Sequence, residues 1–244
     1  MKSIGKYFIF LGSLFIRMES FKTYFSLIIE ECIQIGLNSI FLVALVSTFI
    51  GAVTTVQTAY NLVSPFIPEY IISTVVRDMT ILELAPTIIG VIYAGKVGSS
   101  IAGGLGTMRI TQQIDALEVM GINSASYLVL PKIIASLLMY PMLVILAGFL
   151  SMLGGYAAAI VADIMTAADY EYGLKAIFIP YMVKFALIKS YVFAFLIASV
   201  SAYKGYFTSG GALEVGQAST SAVTNSVIAV LVADYLLAQM LLTT

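Results

Sequence analysis

The chain has 244 residues, of which 60% are hydrophobic and only 10% are charged, whereas about a quarter of the residues of a typical soluble domain are charged. Its 12 Lys and Arg residues are balanced by 13 Asp and Glu residues, which excludes the basic surface that a nucleic-acid-binding protein needs. The chain has no His, so histidine-based catalysis and histidine metal ligation are excluded, and we expect no metal site. The composition therefore predicts an all-α integral membrane protein.

Residues 1–26 are predicted to form an amphipathic helix that lies in the membrane surface. Apolar side chains recur at helical spacing along this segment, and Lys2, Lys6 and Arg17 fall on the opposite side. A cleavable signal peptide is the alternative. Against it, Arg17 and Glu19 interrupt the apolar stretch, and no clear small-residue cleavage site follows.

Five further segments are predicted to cross the membrane, because a spanning helix needs about 20 mostly apolar residues. They are residues 33–61, 71–103, 133–160, 178–203 and 219–241. The second segment is too long for one simple span and carries Arg77, Asp78, Glu83 and Lys96. We expect it to extend past the bilayer into the cytoplasm.

The positions of Lys and Arg predict the orientation, because these residues collect in short cytoplasmic loops. They precede the first predicted span, lie between the second and third at Lys96, Arg109 and Lys132, and follow the fourth at Lys204. The N-terminus is therefore predicted to be cytoplasmic. Five crossings then place the C-terminus on the outer side.

The stretch from Gly90 to Val97 nearly matches the phosphate-binding loop G-x-x-x-x-G-K-[ST]. It fails at Val97, which has no hydroxyl to offer Mg²⁺, and it lies in an apolar helical segment rather than between a strand and a helix. We therefore expect this chain to bind no cofactor. ATP and Mg²⁺ are expected on a partner ATPase if ATP drives the protein.

Small residues recur at every fourth position at Ala94, Gly98, Ala102 and Gly106. Small side chains at this spacing let helix backbones approach closely in lipid. The spacing predicts a helix-packing surface. It leaves open whether the surface packs within one chain or between two copies.

Residues 108–121 are the most polar stretch inside the chain, and they predict a short amphipathic cytoplasmic helix. Its apolar stripe consists of Ile110, Ile114, Leu117 and Met120. Polar and charged side chains of both signs occupy the rest of its surface. Such a helix is suited to docking onto a soluble partner, and a solvated turn at the membrane interface is the alternative.

Short blocks of sequence follow one another in order between residues 36 and 240. They include Gly51-Ala-Val-Thr-Thr-Val-Gln57, Glu83-Leu-Ala-Pro86, Ala94-Gly-Lys-Val-Gly-Ser99, Leu105-Gly-Thr-Met108, Gln113-Ile-Asp-Ala-Leu117, Met120-Gly121, Leu130-Pro131-Lys132, Lys204-Gly-Tyr-Phe-Thr-Ser-Gly-Gly211, Val215-Gly216 and Asp234-Tyr235. This ordered series resembles the MlaE family, the permease subunits of ABC-type phospholipid transport systems.

The resemblance implies a surface helix followed by five spanning helices in a bacterial inner membrane, with a periplasmic C-terminus. It also implies a homodimer that binds two cytoplasmic ABC ATPase subunits and an outer partner with a lipid-binding MCE domain. The transported substrate would be phospholipid or a related lipid. Residues 108–121 would be the coupling helix, which contacts the ATPase through Arg109, Gln112, Gln113, Ile114, Asp115, Leu117, Glu118 and Met120.

Four polar residues are candidates for lining a lipid path: Thr54, Gln57, Tyr60 and Glu83. A lipid cavity needs mostly apolar walls and a few polar groups for the headgroup. For Glu83 two interpretations remain open, a place on the cavity wall near a headgroup or a pairing with a cation such as Arg77.

The remaining membrane charges are expected to have structural roles. Asp234, Lys184 and Lys189 are predicted to pair between the fourth and fifth spans. Arg77 and Asp78 are expected near the outer end of their helix, in contact with water. A protein of another class, a secondary transporter driven by an ion gradient through Glu83 and Asp234, is the main alternative, and a membrane scaffold is a third.

The chain also departs from the family pattern at five positions where charged residues are frequent. These positions are Leu82, Gly104, Gln112, Gln217 and Ser221. Ion pairs of relatives therefore cannot be transferred to this chain.

Overall fold

The computed structural model describes residues 2–15, 20–62 and 68–242, and these ranges are helical with no β-strand among them. The helices are α1 Lys2–Ser13, α2 Phe21–Cys32, α3 Asn38–Asn61, α4 Tyr70–Met79, α5 Ile89–Tyr93, α6 Ser99–Ile110, α7 Gln113–Val119, α8 Ser124–Val161, α9 Ala167–Lys175, α10 Tyr181–Tyr206 and α11 Ala212–Leu242. Three π-helical segments lie between α-helices: π1 Ile33–Leu37, π2 Thr80–Ile88 and π3 Ala94–Gly98.

Within the described ranges, four helices are long and apolar enough to cross a membrane. They are Lys22–Asn61, Ser124–Val161, Tyr181–Tyr206 and Ala212–Leu241, and they cover the first, third, fourth and fifth predicted spans. The predicted second span, 71–103, is helical from α4 to α6 but is not one of these four. The prediction of an all-helical chain with several apolar helices is confirmed, and the count of five spans stays a prediction.

The N-terminal segment differs from the single helix predicted over residues 1–26. Helix α1 ends at Ser13, and a separate helix, α2, begins at Phe21 and continues through π1 into the first span. The predicted polar-face residue Arg17 lies outside the described residues. The physical reason is that Ser20 adopts an extended backbone conformation, so a new helix starts at Phe21, and this helix continues past Glu30 and Glu31 into the first span.

Helix α1 packs on α10 through aromatic side chains. The Tyr7 hydroxyl lies 2.7 Å from the hydroxyl oxygen of Ser199, and the ring of Phe10 contacts that of Tyr203 edge-on, with centroids 5.7 Å apart. Phe10 is buried, whereas Phe8 on the same helix is exposed. Tertiary packing therefore uses one side of α1 and leaves other apolar side chains for a further environment, for which the membrane surface remains the prediction.

The chain divides into two compact units. The first comprises Met1–Ser39, Gly90–Tyr140 and Tyr191–Thr244, and the second comprises Ile40–Ile89 and Pro141–Ser190.

In the first unit, the row of small residues Ala94, Gly98, Ala102 and Gly106 is buried. A Cβ atom added at Gly98 would lie 2.8 Å from the hydroxyl oxygen of Ser201 in α10, and one at Gly106 would lie 3.1 Å from a methyl carbon of α11. The row therefore packs helices within the chain, and larger side chains at these two glycines would force their neighbours apart.

In the second unit, Arg77 fastens the end of α9 to α4. Its guanidinium donates to the backbone carbonyls of Leu174 at 3.0 Å and Ala176 at 2.7 Å, and it pairs with Asp78 at 2.7 Å. A cation at the last carbonyls of a helix is favourable because these groups carry the negative end of the helix dipole. Arg77 is only 2% exposed, so the expectation that it contacts water is wrong.

The apolar core of this unit includes Val76, Ala159 and Tyr170. The buried Tyr170 hydroxyl donates to the backbone carbonyl of Met152 at 3.1 Å. Burial raises the pKa of Tyr170 to about 12, so the phenol stays neutral at physiological pH. Its contribution to stability is lost only as pH rises from about 10 through this higher pKa.

Helices α3 and α8 approach closely at two glycines of the second unit. A Cβ atom at Gly51 would overlap the backbone of Ser151, and one at Gly154 would overlap the backbone of Thr48. The Ser151 hydroxyl donates to the backbone carbonyl of Ser47 at 2.9 Å. This contact therefore depends on the absence of side chains at both glycines.

Gly154→Ala is expected to lower the unfolding temperature of the detergent-solubilised chain. Its Cβ has no room, and overpacking of this kind costs about 1–3 kcal/mol, which outweighs the roughly 0.5–1 kcal/mol that Ala gains over Gly in a helix. Gly148→Ala on the same helix is the matched control, because its Cβ would meet only Ala85 at 4.0 Å. Thermal unfolding that shifts equally in both variants would contradict the proposed role of the close contact.

Candidate functional site

The segment predicted as one helix over residues 108–121 is divided by a turn. Helix α6 ends at Ile110, and α7 runs only from Gln113 to Val119. Between them, Gln112 adopts a left-handed conformation with φ 60°. Such a conformation interrupts a right-handed helix, which the amphipathic spacing alone could not predict.

One apolar residue anchors α7, and others point outward. Ile114 is completely buried, whereas Val119 and Met120 are 89% and 66% exposed. The predicted apolar stripe therefore holds at Ile114 and fails at Met120. Val119 is not part of the predicted stripe. Helical spacing could not predict its exposure, because this exposure results from its place at the end of α7.

The charged residues of this segment are partly engaged within the chain. Arg109 pairs with Asp115 at 2.7 Å, and both remain accessible. One carboxylate oxygen of Glu118 accepts from the hydroxyls of Ser124 at 2.9 Å and Tyr206 at 3.1 Å. The structure thus assigns Glu118 a contact that holds α7 in place, in addition to its predicted docking role. Gln113 and Leu117 lie on the same short helix.

Two of the predicted lipid-path residues line one apolar groove on α3, which we call the α3 groove. Its volume is about 460 Å³. The lining consists of Leu45, Val46, Phe49, Ile50, Val53, Thr54, Gln57, Leu84 and Ile88. The Thr54 hydroxyl donates to the carbonyl of Ile50 at 2.7 Å, and Gln57 is exposed. Tyr60 is also exposed but is not part of the groove.

Glu83 lies in π2 and forms a salt bridge with Lys189 of α10 at 2.8 Å. The ammonium also donates to the carbonyl of Leu82 at 3.0 Å and lies 5.0 Å from the ring centroid of Phe185. Lys189 is fully buried, whereas half of the Glu83 side chain is exposed. The structure thus gives Glu83 a cation, but this cation is Lys189 rather than Arg77. The pair joins residues more than a hundred positions apart, so helical spacing could not predict it.

One side of α11, which we call the α11 polar face, carries a row of polar residues at helical spacing. The residues of this face are Leu213, Gly216, Gln217, Thr220, Ser221, Thr224 and Asn225. Most of these residues are exposed or half-exposed in the chain. The face includes Gln217 and Ser221, two of the departures from the family pattern. Polar groups on an otherwise apolar membrane helix are unfavourable against lipid. Within the described ranges, no group of three acidic or cysteine ligands could hold a metal ion.

These features together define a multi-pass membrane protein. It has long apolar helices, its buried charges are compensated, and it has an accessible polar turn. Comparison with known proteins makes the class specific. The family model described as permease MlaE matches residues 28–240, so the chain belongs to the MlaE permease family.

Two of the three similar proteins described next are named as probable ABC transporter permeases. A probable ABC transporter permease protein of Rickettsia bellii is 38% identical over 239 residues, which are 98% of this chain and 92% of the relative. One from Synechocystis is 33% identical over 86% of this chain and 79% of the relative. The chloroplastic protein trigalactosyldiacylglycerol 1 of Arabidopsis thaliana is 30% identical over 94% of this chain and 65% of the relative.

Glu83→Gln is expected to destabilise the chain more than Lys189→Met. The first variant removes the carboxylate charge beside a fully buried ammonium, and breaking a buried pair costs about 3–5 kcal/mol. We expect the lower end of this range because Glu83 is half-exposed. Lys189→Met leaves a carboxylate that is half-exposed rather than buried.

The measurement is chemical or thermal unfolding of the single variants and of the double variant in one detergent. The double variant should recover part of the loss caused by Glu83→Gln. A larger loss of stability in Lys189→Met than in Glu83→Gln would contradict the proposed need of the buried ammonium for the Glu83 carboxylate.

Proposed function

We propose that this chain is the membrane subunit of an ABC transporter that moves phospholipid, or a related lipid, between a bacterial inner membrane and the cell envelope. Membership of the MlaE permease family and relatives named as ABC transporter permeases support this function. The Arabidopsis relative is named after a glycerolipid, which supports a lipid substrate. In the proposal, a partner ATPase binds and hydrolyses ATP with Mg²⁺.

The observation that carries the lipid part of the proposal is the α3 groove. Seven of its nine lining residues are apolar, and Thr54 and Gln57 supply the polar groups. An acyl chain needs an apolar wall, and a headgroup needs a few hydrogen-bonding groups at its edge. The groove has both in one place.

The α11 polar face supports a homodimer. A row of polar residues on a membrane helix is stabilised when a second protein surface or a water-filled cavity covers it. In the proposal, two copies face each other across this surface and enclose a lipid cavity, and a partner with an MCE domain receives or delivers lipid on the outer side. The N-terminus is cytoplasmic and the C-terminus periplasmic, as the distribution of Lys and Arg predicts.

In the proposal, α7 and its preceding turn transmit force from the ATPase. Ile114 anchors the helix, while Gln112, Gln113 and Met120 are exposed to a partner. The hydrogen bonds of Glu118 to α8 and α10 connect the segment to two of the long helices. A movement imposed on α7 would therefore pass into the membrane helices.

Mass spectrometry of the tagged protein, extracted gently from its native membrane, tests the assembly. We expect a co-purifying ABC ATPase, an MCE-domain protein and bound phospholipid. Lipid movement in liposomes that follows an ion gradient and needs no ATPase would favour secondary transport through Glu83 and Asp234. An intact assembly without bound lipid would favour a scaffold.

Val53→Trp is expected to reduce ATP-dependent lipid movement several-fold, because its larger side chain fills the α3 groove. Phe41→Trp is the matched control: it is also an exposed apolar position of α3, but it lies outside the groove. Both variants are reconstituted with the partner ATPase, and transfer of a fluorescent phospholipid is measured. Equal transfer rates in both variants would contradict the proposed lipid path.

Asp115→Lys combined with Leu117→Asp is expected to abolish binding of the ATPase while membrane insertion is retained. The pair of changes reverses one exposed charge and introduces another into the apolar side of α7. Glu171→Lys in α9 is the control, because it reverses an exposed charge far along the chain from this segment. Co-purification of the ATPase at the wild-type level with the double variant would overturn the coupling assignment.

A further inference from the structure

A polar cavity in the first unit has no role in the function described so far. Its volume is about 420 Å³, and its lining includes three charged residues, Glu31, Lys96 and Lys132. Gln34 and Ser100 add a side-chain amide and a hydroxyl. We call it the Lys96 cavity.

The charges of the Lys96 cavity do not cancel. Lys132 forms a salt bridge with Glu31, whereas the ammonium of Lys96 donates to the backbone carbonyl of Asn38, which is a neutral acceptor. Two lysines against one glutamate leave one positive charge among the described residues that line the cavity. An ammonium beside apolar helices is stabilised by an anion, and the cavity has room for one.

Two of the three π-helical segments contribute to this cavity. Gln34 belongs to π1, and Lys96 belongs to π3. π-helical turns are rare in proteins as a whole, and those that occur are often found at functional sites. Two such turns at one cavity are a second observation, independent of charge, that favours a ligand site here.

The rest of the lining is partly polar, at Asn38 and Ser39, and partly apolar. Val97, Ile101 and Met108 supply apolar surface beside Lys96. Gly104 also lines the cavity, and a Cβ atom added there would meet nothing within 4 Å. The site thus combines one uncompensated cation, hydrogen-bond donors, apolar walls and free space.

We propose that the Lys96 cavity binds the phosphate diester of a membrane phospholipid. A phosphate diester carries one negative charge, which matches the single uncompensated lysine, and it accepts hydrogen bonds from amide and hydroxyl donors. The apolar wall contacts the part of the lipid next to the phosphate. Lys96 and Lys132 belong to the cations that predict the cytoplasmic side, so the cavity takes headgroups from the inner leaflet. This inference rests on the proposed function, because it assigns a headgroup site to a lipid transporter.

The test measures lipid binding to the full chain in detergent by native mass spectrometry. The probe is phosphatidylglycerol, and diacylglycerol with the same acyl chains is the comparison without phosphate. Gly104→Glu adds a carboxylate at a lining position whose Cβ has open space around it, and Gly104→Gln is the matched control of equal size without charge. Lys96→Met and Lys96→Arg form a second pair, in which only the arginine keeps the charge.

We expect wild type to retain phosphatidylglycerol in preference to diacylglycerol. Binding should weaken about tenfold in Gly104→Glu and Lys96→Met, because a charge-assisted hydrogen bond is lost, and should persist in Gly104→Gln and Lys96→Arg. Equal binding in the Glu and Gln variants, or equal binding of the two lipids, would overturn the proposal. Displacement of phosphatidylglycerol by inorganic phosphate at low concentration would overturn the proposal that the bound phosphate belongs to a lipid, and would identify a site for free phosphate.

The result is distinguishable from a failure of the proposed function. If that function is wrong, wild-type protein with its ATPase moves no lipid, whatever the binding data show. If only the headgroup site is wrong, wild type moves lipid, and Gly104→Glu binds phosphatidylglycerol as well as Gly104→Gln does.

Discussion

A charge placed among apolar helices must be compensated, and the described structure depends on how this chain meets that requirement. Arg77 is compensated by Asp78 and by the carbonyls at the end of α9, so one buried guanidinium holds a short helix against α4. Lys189 is compensated by Glu83, which joins α10 to π2. In each case at least one partner of the cation, the α9 carbonyls for Arg77 and the π2 carboxylate for Lys189, lies on another helical segment, so compensating the charge also fixes the packing.

Two of the described π-helical segments carry charged side chains. Glu83 lies in π2 and Lys96 in π3, so both charged side chains of the middle of the predicted second span occupy non-α-helical turns. Pro86 within π2 lacks the backbone N–H that a regular α-helical turn would use. The irregular backbone is found at these two charged side chains, while the long regular helices are mostly apolar.

Close backbone contacts and exposed surfaces are divided between different faces of the same helices. On α3, Gly51 faces the backbone of α8, whereas Val53 and Gln57 face the open groove. In the first unit, the buried side of α11 receives Gly106, whereas its polar side is left uncovered. Within each unit, one side of such a helix is therefore held by tight packing, while another side stays open to a ligand or a partner.

The sequence by itself determined the membrane class, the position of four apolar helices and the family, because hydrophobic length and ordered motifs are properties of the chain alone. It also identified Thr54, Gln57 and Glu83 as polar exceptions in apolar segments. Only the tertiary structure decided that Lys189 is the partner of Glu83 and that Arg77 is buried. Helical periodicity defines the faces of one helix, but which charges meet depends on how separate helices pack and where a backbone turn shifts a side chain.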